Sequence, residues 1–131
     1  MTIETPKSDI PAPAEKVFTY LSDMSNYRNL MPDQVINWQS TADECTFTIK
    51  GMATIGMKIV ERIPDHEIKI VSGEKSPVKF DLRCHIEAIS EKSSTAHLFF
   101  ESDINPFLKM MVEKPLENFF NYLAEKLKTV F

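Results

Sequence analysis

The chain has 131 residues, of which 43% are hydrophobic and 26% are charged, and its formal net charge is -4. This length supports one hydrophobic core and is too short for two domains of ordinary size, so we predict a single domain over residues 1–131. The negative charge gives no bulk electrostatic attraction to nucleic acid or to an anionic membrane, and we expect no nucleic-acid partner.

Neither a membrane-spanning nor a secretory pattern is visible. No apolar run approaches the roughly 18 residues that suggest a transmembrane helix, and the first thirteen residues lack the apolar region of a secretory signal. Cys45 and Cys84 lie far apart, without the close spacing of a metal-binding pair. We therefore predict a cytoplasmic protein with two buried, reduced thiols and no stable membrane insertion.

The N-terminal quarter predicts a strand followed by helices. Residues 2–10 have strand character, and Pro6 restricts that strand to a sheet edge or a bulge. After a proline-rich break, Ala14 to Asp23 shows helical spacing of its apolar residues. A second short helical segment is predicted from Met24 to Leu30.

From Val35 onward the apolar residues alternate with polar ones, which is typical of half-buried strands. The alternating segments cover residues 35–39, 45–50, 53–63, 68–72, 78–88 and 96–104. The third of them loses its alternation at Val60, which indicates a β-bulge. Short polar turns between the segments predict an antiparallel meander with one buried face.

The last segment, Asn105 to Phe131, is a long amphipathic helix. Asn105 is a good N-cap residue and Pro106 suits the first helical position. The apolar face is formed by Leu108, Met111, Val112, Leu116, Phe119, Leu123 and Leu127. Such a face has to be buried against another element, and the meander provides it. The predicted fold class is α+β, with an antiparallel sheet of about six to seven strands covered by the C-terminal helix.

Three local features resemble those of a known superfamily. They are the stretch from Ile10 to Asp23 (IPAPAEKVFTYLSD), the Asn26-Tyr27 and Leu30-Met31-Pro32 connector, and the long terminal helix. Together they resemble the START-like superfamily, also called the polyketide cyclase/dehydrase and lipid-transport (SRPBCC) group, over essentially the whole chain.

This resemblance implies a helix-grip fold, in which a curved sheet wraps the last helix around an apolar cavity. Members of the superfamily bind lipids, sterols, quinones, polyketides or plant hormones in that cavity. Some members are cyclases, and others act as chaperone or ribosome-associated factors. Because one fold hosts many functions, the resemblance predicts the architecture more specifically than the activity.

Eight apolar side chains are the candidate ligand-binding residues. Strand alternation, helix face and ring size indicate the following residues: Trp38, Phe47, Met57, Phe80, Leu82, Phe100, Met111 and Phe119. A pocket lined by aromatic and methionine side chains suits a flat or flexible apolar ligand. The alternative is that these side chains pack against one another and leave no cavity, as in an ordinary protein interior.

Pro115 interrupts the pattern of the long helix. It removes the backbone hydrogen bond to the Met111 carbonyl, so a kink or two successive helices are expected. One interpretation is a hinge that lets the first half of the helix act as a gate over the cavity. The other is a fixed bend that fits the helix to the sheet.

Polar residues indicate no catalytic centre, metal site or cofactor. His85 shares one face of its strand with Asp81, Arg83 and Glu87, and that face is predicted to be solvated. His66 lies in a turn without a recognisable partner. The inward polar groups are few, which gives little support for acid–base chemistry: Ser72, Ser102, Cys84, Tyr20 and Tyr27.

Three functions remain open on the sequence. The first is binding or transport of a small hydrophobic ligand such as a lipid, a quinone or a polyketide-like molecule. The second is a cyclase or dehydratase acting on a polyketide-like substrate, and it needs at least two polar groups converging in the cavity. The third is a protein-interaction module, for which Phe99 and Phe131 are the candidate exposed contacts.

Overall fold

The computed structural model describes all residues, 1–131, as three helices and eight strands. The helices are α1 (Ala14–Leu21), a 3-10 helix (Met24–Leu30) and α2 (Pro106–Leu127). The strands are β1 (Thr2–Glu4), β2 (Ser8–Ile10), β3 (Val35–Ser40), β4 (Glu44–Ile49), β5 (Ala53–Ile63), β6 (Glu67–Ser72), β7 (Phe80–Ala88) and β8 (Ser94–Ser102). No helix is both long enough and apolar enough to cross a membrane.

All eight strands form one antiparallel sheet in the order β1-β8-β7-β6-β5-β4-β3, and β2 also pairs with β8. The six consecutive strands β3 to β8 are therefore the predicted meander. One hydrophobic core of 26 buried residues joins the sheet to all three helices. The α+β class and the helix-grip architecture are confirmed.

The predicted first strand is divided into β1 and β2, which gives the sheet one strand more than the six to seven expected. The two strands are separated by residues 5–7. This gap contains Pro6, which cannot donate a backbone hydrogen bond. Thr5 bridges the gap, since its N–H donates to the Leu98 carbonyl at 2.9 Å and its Oγ1 accepts from the Leu98 N–H at 2.9 Å. Both halves consequently stay on the edge of β8.

Two strands contain irregularities. The register between β5 and β6 shifts between Ile59 and Glu61, so the predicted bulge is confirmed. A second shift, between Ile36 and Gln39 in β3, was not predicted. Asn37 lies there with a φ of 56°, a left-handed conformation that asparagine tolerates better than most residues.

Side-chain hydrogen bonds stabilise the end of α1 and the start of the 3-10 helix. α1 stops at Leu21, two residues before the predicted end. Ser22 then bonds the Phe18 carbonyl through its Oγ at 2.7 Å, and the Asp23 carboxylate accepts the Ser25 N–H at 3.0 Å to cap the 3-10 helix.

Helix α2 is continuous through Pro115, so the alternative of two successive helices is not observed. Its predicted N-cap is confirmed, because Asn105 Oδ1 accepts the Leu108 N–H at 2.8 Å. The buried residues of α2 all lie in its second half: Phe120, Leu123, Ala124 and Leu127. Ser8 Oγ anchors that half by donating to the Ala124 carbonyl at 3.0 Å, one of the last four carbonyls of the helix. The first half has no buried residue and covers the sheet without packing closely against it.

Candidate apolar binding site

A cavity of about 320 Å³ lies between the sheet and the first half of α2. Of the 18 residues that line it, 16 are hydrophobic. The lining comprises Met1, Phe47, Ile49, Met52, Ala53, Ile55, Met57, Pro77, Val78, Phe80, Phe100, Ser102, Ile104, Leu108, Val112, Leu116, Phe119 and Phe120. Its size is at the lower end of the range typical of small-molecule sites.

Inward-facing residues of the strands form the walls of the cavity, and residues of α2 form its roof. Phe47 and Ile49 project from β4 as alternate residues, and Met57 projects from the neighbouring β5. Leu108 and Val112, four residues apart, point down from α2 and close the top. The cavity exists because this half of α2 covers the sheet without packing tightly onto it.

A row of aromatic rings forms the floor. Phe47 stacks on Phe119 with ring centroids 6.3 Å apart, and Phe119 meets Phe120 edge-on at 5.4 Å. The row continues from Phe120 to Phe100 at 4.9 Å and from Phe100 to Phe80 at 5.3 Å. These centroid distances lie in the range of favourable aromatic pairs, so the floor is a packed layer.

Below this floor the core is closed. A residual void of about 20 Å³ lies beneath Phe119 and Phe120, lined entirely by apolar and core residues such as Leu82 and Cys84. The space that a ligand can occupy is therefore confined to the region under the first half of α2.

One side of the cavity rim is formed by the β6–β7 loop, which is bound tightly to β5. The Gly73 N–H donates to the Gly56 carbonyl at 2.7 Å, and a Cβ on Gly73 would lie 3.1 Å from a Gly56 backbone atom. Ser76 Oγ donates to the Gly56 carbonyl at 2.7 Å and accepts from its N–H at 2.8 Å. This close approach holds Pro77 and Val78 against the cavity.

Ser102 is the single polar side chain in the lining. Its hydroxyl donates to the Lys79 carbonyl at 2.8 Å, which leaves its oxygen available only as an acceptor. The other inward polar groups predicted from the sequence are elsewhere. Tyr27 and Cys84 lie in the closed core, and Ser72 Oγ accepts the Phe80 N–H.

The buried polar groups of the core are held in their neutral forms. Burial raises the pKa of Cys45 and of Cys84 to about 12 in each case. Burial also raises the pKa of Tyr27 well above its ordinary value, and its hydroxyl donates to the Leu21 carbonyl at 2.8 Å. Both cysteines are free and buried, as predicted. These groups stabilise the fold and have no access to the cavity.

The structure brings most of the candidate residues together. Five of the eight line the cavity: Phe47, Met57, Phe80, Phe100 and Phe119. Leu82 lies one layer deeper, at the small void. Trp38 lies behind the wall, stacked on Phe47 with a centroid distance of 5.4 Å, and its Nε1 donates to Ser40 Oγ at 2.9 Å.

Met111 was predicted to face inward, and this prediction is wrong because its side chain is exposed on the outer side of α2. Residues four apart on an α-helix are offset by about 40°, so each such row winds around the axis. The row that contains Phe107, Met111 and Phe119 is outside at its start and reaches the cavity only at Phe119. The neighbouring row of Leu108 and Val112 faces the cavity instead.

Some lining residues were missed as candidates although their pattern was visible. Ile49, Ile55, Leu108, Val112 and Leu116 all belong to alternating or helical faces that the sequence predicts as buried. Val78 likewise begins the alternating segment 78–88, although β7 itself starts at Phe80. Pro77 had no such signal, because it lies in the loop that Gly73 holds against Gly56.

The three histidines lie together on the opposite, outer face of the sheet. His66, His85 and His97 line one concavity there with Glu67 and Glu87. His85 stacks on His97 with centroids 4.9 Å apart, and its Nδ1 lies 3.4 Å from Glu67 Oε1. Burial and the neighbouring His85 lower the pKa of His97. No group of three or more metal-ligating side chains is placed to hold an ion.

The two apolar residues predicted as exposed contacts are not exposed. Phe99 is half-buried on β8, opposite Arg83 of β7 and Glu4 of β1. Phe131 packs edge-on against Tyr20 with ring centroids 5.3 Å apart. The alternation within one strand does not reveal whether neighbouring elements cover a residue, since these neighbours come from other strands and helices.

Comparison with solved structures identifies the fold. The chain superposes on a START superfamily protein from Mycobacterium smegmatis with a TM-score of 0.69 at 12% identity, covering 99% of both chains. It matches XoxI from Bacillus cereus with a TM-score of 0.78 at 9% identity, covering 99% of this chain and 94% of that one. A norcoclaurine synthase point mutant from Thalictrum flavum, in complex with a transition-state analogue, gives 0.74 at 14% identity, covering 99% and 92%.

Sequence comparison with curated proteins finds no match. The sequence profile of one family, however, matches residues 2–131, which is nearly the entire chain. This match agrees with the sheet, the cavity and the covering helix described above. The chain belongs to the polyketide cyclase / dehydrase and lipid transport family.

Proposed function

We propose that this protein binds a small, predominantly apolar molecule in the cavity under the first half of α2. The observation that carries the proposal is the lining, in which 16 of 18 residues are hydrophobic and none contributes a charged side chain. Binding energy would come mainly from apolar burial, at roughly 25 cal/mol per Å² before the cost of ordering the ligand. A lipid chain, a quinone or a polyketide-like ring system fits this chemistry.

Catalysis in the same cavity, as a cyclase or dehydratase, is the alternative that the family description offers. General acid–base chemistry needs titratable groups close to the substrate, and Ser102 is the one hydroxyl in the lining. Its O–H already donates a hydrogen bond to the backbone carbonyl of Lys79. This arrangement favours binding over catalysis as the role of the cavity.

The test introduces a tryptophan that fills the cavity, and the control introduces a tryptophan at the neighbouring helix position, outside the cavity. In Val112→Trp the new ring enters the cavity from the roof, whereas in Met111→Trp it lies outside. A panel of medium-chain alcohols, a quinone and an aromatic polyketide is titrated against both variants, and native mass spectrometry of the purified protein reports any retained ligand.

We expect Val112→Trp to weaken binding about tenfold or more, because the ring occupies space that the ligand needs. Met111→Trp should bind like the original protein. If no panel compound binds the original protein and no ligand is retained, the proposal fails. Equal affinity in Val112→Trp and Met111→Trp would show that binding occurs outside this cavity.

A further inference from the structure

The outer side of α2 carries the largest cluster of exposed apolar side chains. Phe107, Met110 and Met111 are 74%, 84% and 61% exposed. They lie within five consecutive residues, at positions i, i+3 and i+4, so they form one stripe on the helix surface. The other exposed large apolar residues are scattered over the molecule: Ile36, Val60, Ile89 and Tyr122.

The helix segment that carries the stripe is apolar on two sides. Leu108 and Val112 point into the cavity, while Phe107, Met110 and Met111 point away from it. A helix that only roofs a cavity needs one apolar side and would carry polar residues on the other. A contiguous exposed apolar surface of this kind indicates an interaction site.

The size of the stripe distinguishes between possible occupants. The three side chains expose roughly 400 Å², which is about half of the 800 Å² per partner that a stable protein interface buries. A lipid surface needs less area, because a helix lying in its plane inserts side chains only about 5–10 Å deep.

The charges around the stripe also favour a lipid surface with anionic headgroups. The segments that surround the cavity mouth, residues 50–53, 73–79 and 103–114, hold five lysines and three carboxylates. The remainder of the chain holds ten basic and sixteen acidic side chains. Lys114 lies three residues after Met111 and four after Met110, on the side of the stripe, and it is paired only with the exposed carboxylate of Glu117 at 3.6 Å. Such a pair is weak.

We propose that the stripe of Phe107, Met110 and Met111 docks the protein reversibly on an anionic lipid surface. The apolar side chains enter the boundary between headgroups and acyl chains, and Lys114, which projects from the same side of α2, meets the headgroup charge. The helix stays in the plane of the surface. Docking is a property of the outer side of α2 and does not depend on which ligand the cavity holds.

The experiment is sedimentation of the full-length protein with vesicles of phosphatidylcholine alone or mixed with phosphatidylserine. The test variant is Phe107→Ser/Met110→Ser, and the matched control is Val60→Ser/Ile89→Ser, which removes two exposed apolar residues elsewhere. All four positions are exposed, so thermal unfolding should confirm that both variants fold.

We expect binding to the mixed vesicles that weakens as salt is raised, because the lysine contribution is screened. The test variant should bind about tenfold more weakly, whereas the control should bind like the original protein. Lys114→Gln should weaken the preference for phosphatidylserine, whereas Lys109→Gln, on the opposite flank of α2, should keep it.

The proposal is overturned if the protein does not bind either vesicle, or if the test and control variants bind equally. It is also overturned if the protein dimerises in solution and the test variant abolishes the dimer without vesicle binding, since a second copy would then cover the stripe. Val112→Trp separates docking from ligand uptake: loss of uptake with intact docking indicates that only the cavity has been blocked.

Discussion

At the scale of single residues, burial decides which polar groups are chemically available. Cys45 and Cys84 are free thiols, yet burial raises the pKa of each to about 12. The Tyr27 hydroxyl lies 3.8 Å from Cys84 Sγ and is equally buried. A thiol is reactive only as a thiolate, so both cysteines are structural in the folded protein.

The same shifts predict a loss of stability at alkaline pH. In the unfolded chain the thiols release their protons near their ordinary pKa of about 9, whereas in the folded protein they hold them up to about 12. Above pH 9 the unfolded state therefore binds fewer protons than the folded state, and the free energy of unfolding falls as pH rises towards 12. Urea unfolding at about pH 8 and about pH 10 measures the difference.

The control is Cys45→Ala/Cys84→Ala, in which the fall between the two pH values should be smaller. If the free energy of unfolding falls by the same amount in this variant, the pH dependence belongs to Tyr27 and other groups. Independently, a thiol reagent at neutral pH should react with neither cysteine until the chain is unfolded.

At the scale of elements, α2 has two halves with different roles. Its second half is packed into the core and tied to β2 through Ser8 and Ala124. Its first half covers the cavity and begins at the Asn105 cap. Pro115 lies between them and leaves the Met111 carbonyl without its usual helical partner, which lowers the resistance to bending there. Two interpretations remain: Pro115 is a fixed bend that fits the helix to the sheet, or it is the hinge of a gate.

Pro115→Ala tests this interpretation. Alanine restores the missing backbone hydrogen bond and removes the ring clash, so we expect the free energy of unfolding to rise by up to about 3 kcal/mol. If the first half of α2 opens about Pro115, ligand association and dissociation should both become slower, as measured by stopped-flow fluorescence.

The matched control is Lys114→Ala, which changes an exposed neighbour and leaves the backbone hydrogen bonds unaltered. An increase in stability with unchanged exchange rates would support the fixed bend. The gate would then have to be sought elsewhere on the cavity rim.

At the scale of the whole molecule, the cavity and the charged surface are segregated. Charged side chains surround the cavity mouth but do not line the interior. A neutral apolar ligand that enters the cavity therefore exchanges water for an almost entirely hydrocarbon and aromatic surface. Burial of apolar surface on binding gives a negative change in heat capacity.

For a medium-chain alcohol we predict a negative heat-capacity change of binding, obtained by titration calorimetry at several temperatures. The dissociation constant should vary less than about twofold with salt, because the ligand is neutral and no charged side chain lines the cavity. Strong salt dependence would contradict this and would indicate that the lysines at the mouth hold a charged headgroup.

The sequence by itself determined the order of the elements, their periodicity and most of the buried face. Alternation in β4 to β8 identified Phe47, Met57, Phe80 and Phe100, because side chains alternate strictly across a strand. The Asn105-Pro106 pair located the start of α2, because capping is a local property. The bulge in β5 was visible for the same reason.

Only the tertiary structure decided which helical residues face the cavity, where the cavity ends and which apolar residues stay exposed. The four-residue rows of α2 wind around its axis, so Met111 lies outside while Phe119 lies inside, and the sheet determines the changeover. Pro77 reaches the rim through a backbone contact between Gly56 and Gly73, which are distant in sequence. Phe99 and Phe131 are covered for a similar reason. A local pattern describes one element, whereas a cavity depends on the distance between elements.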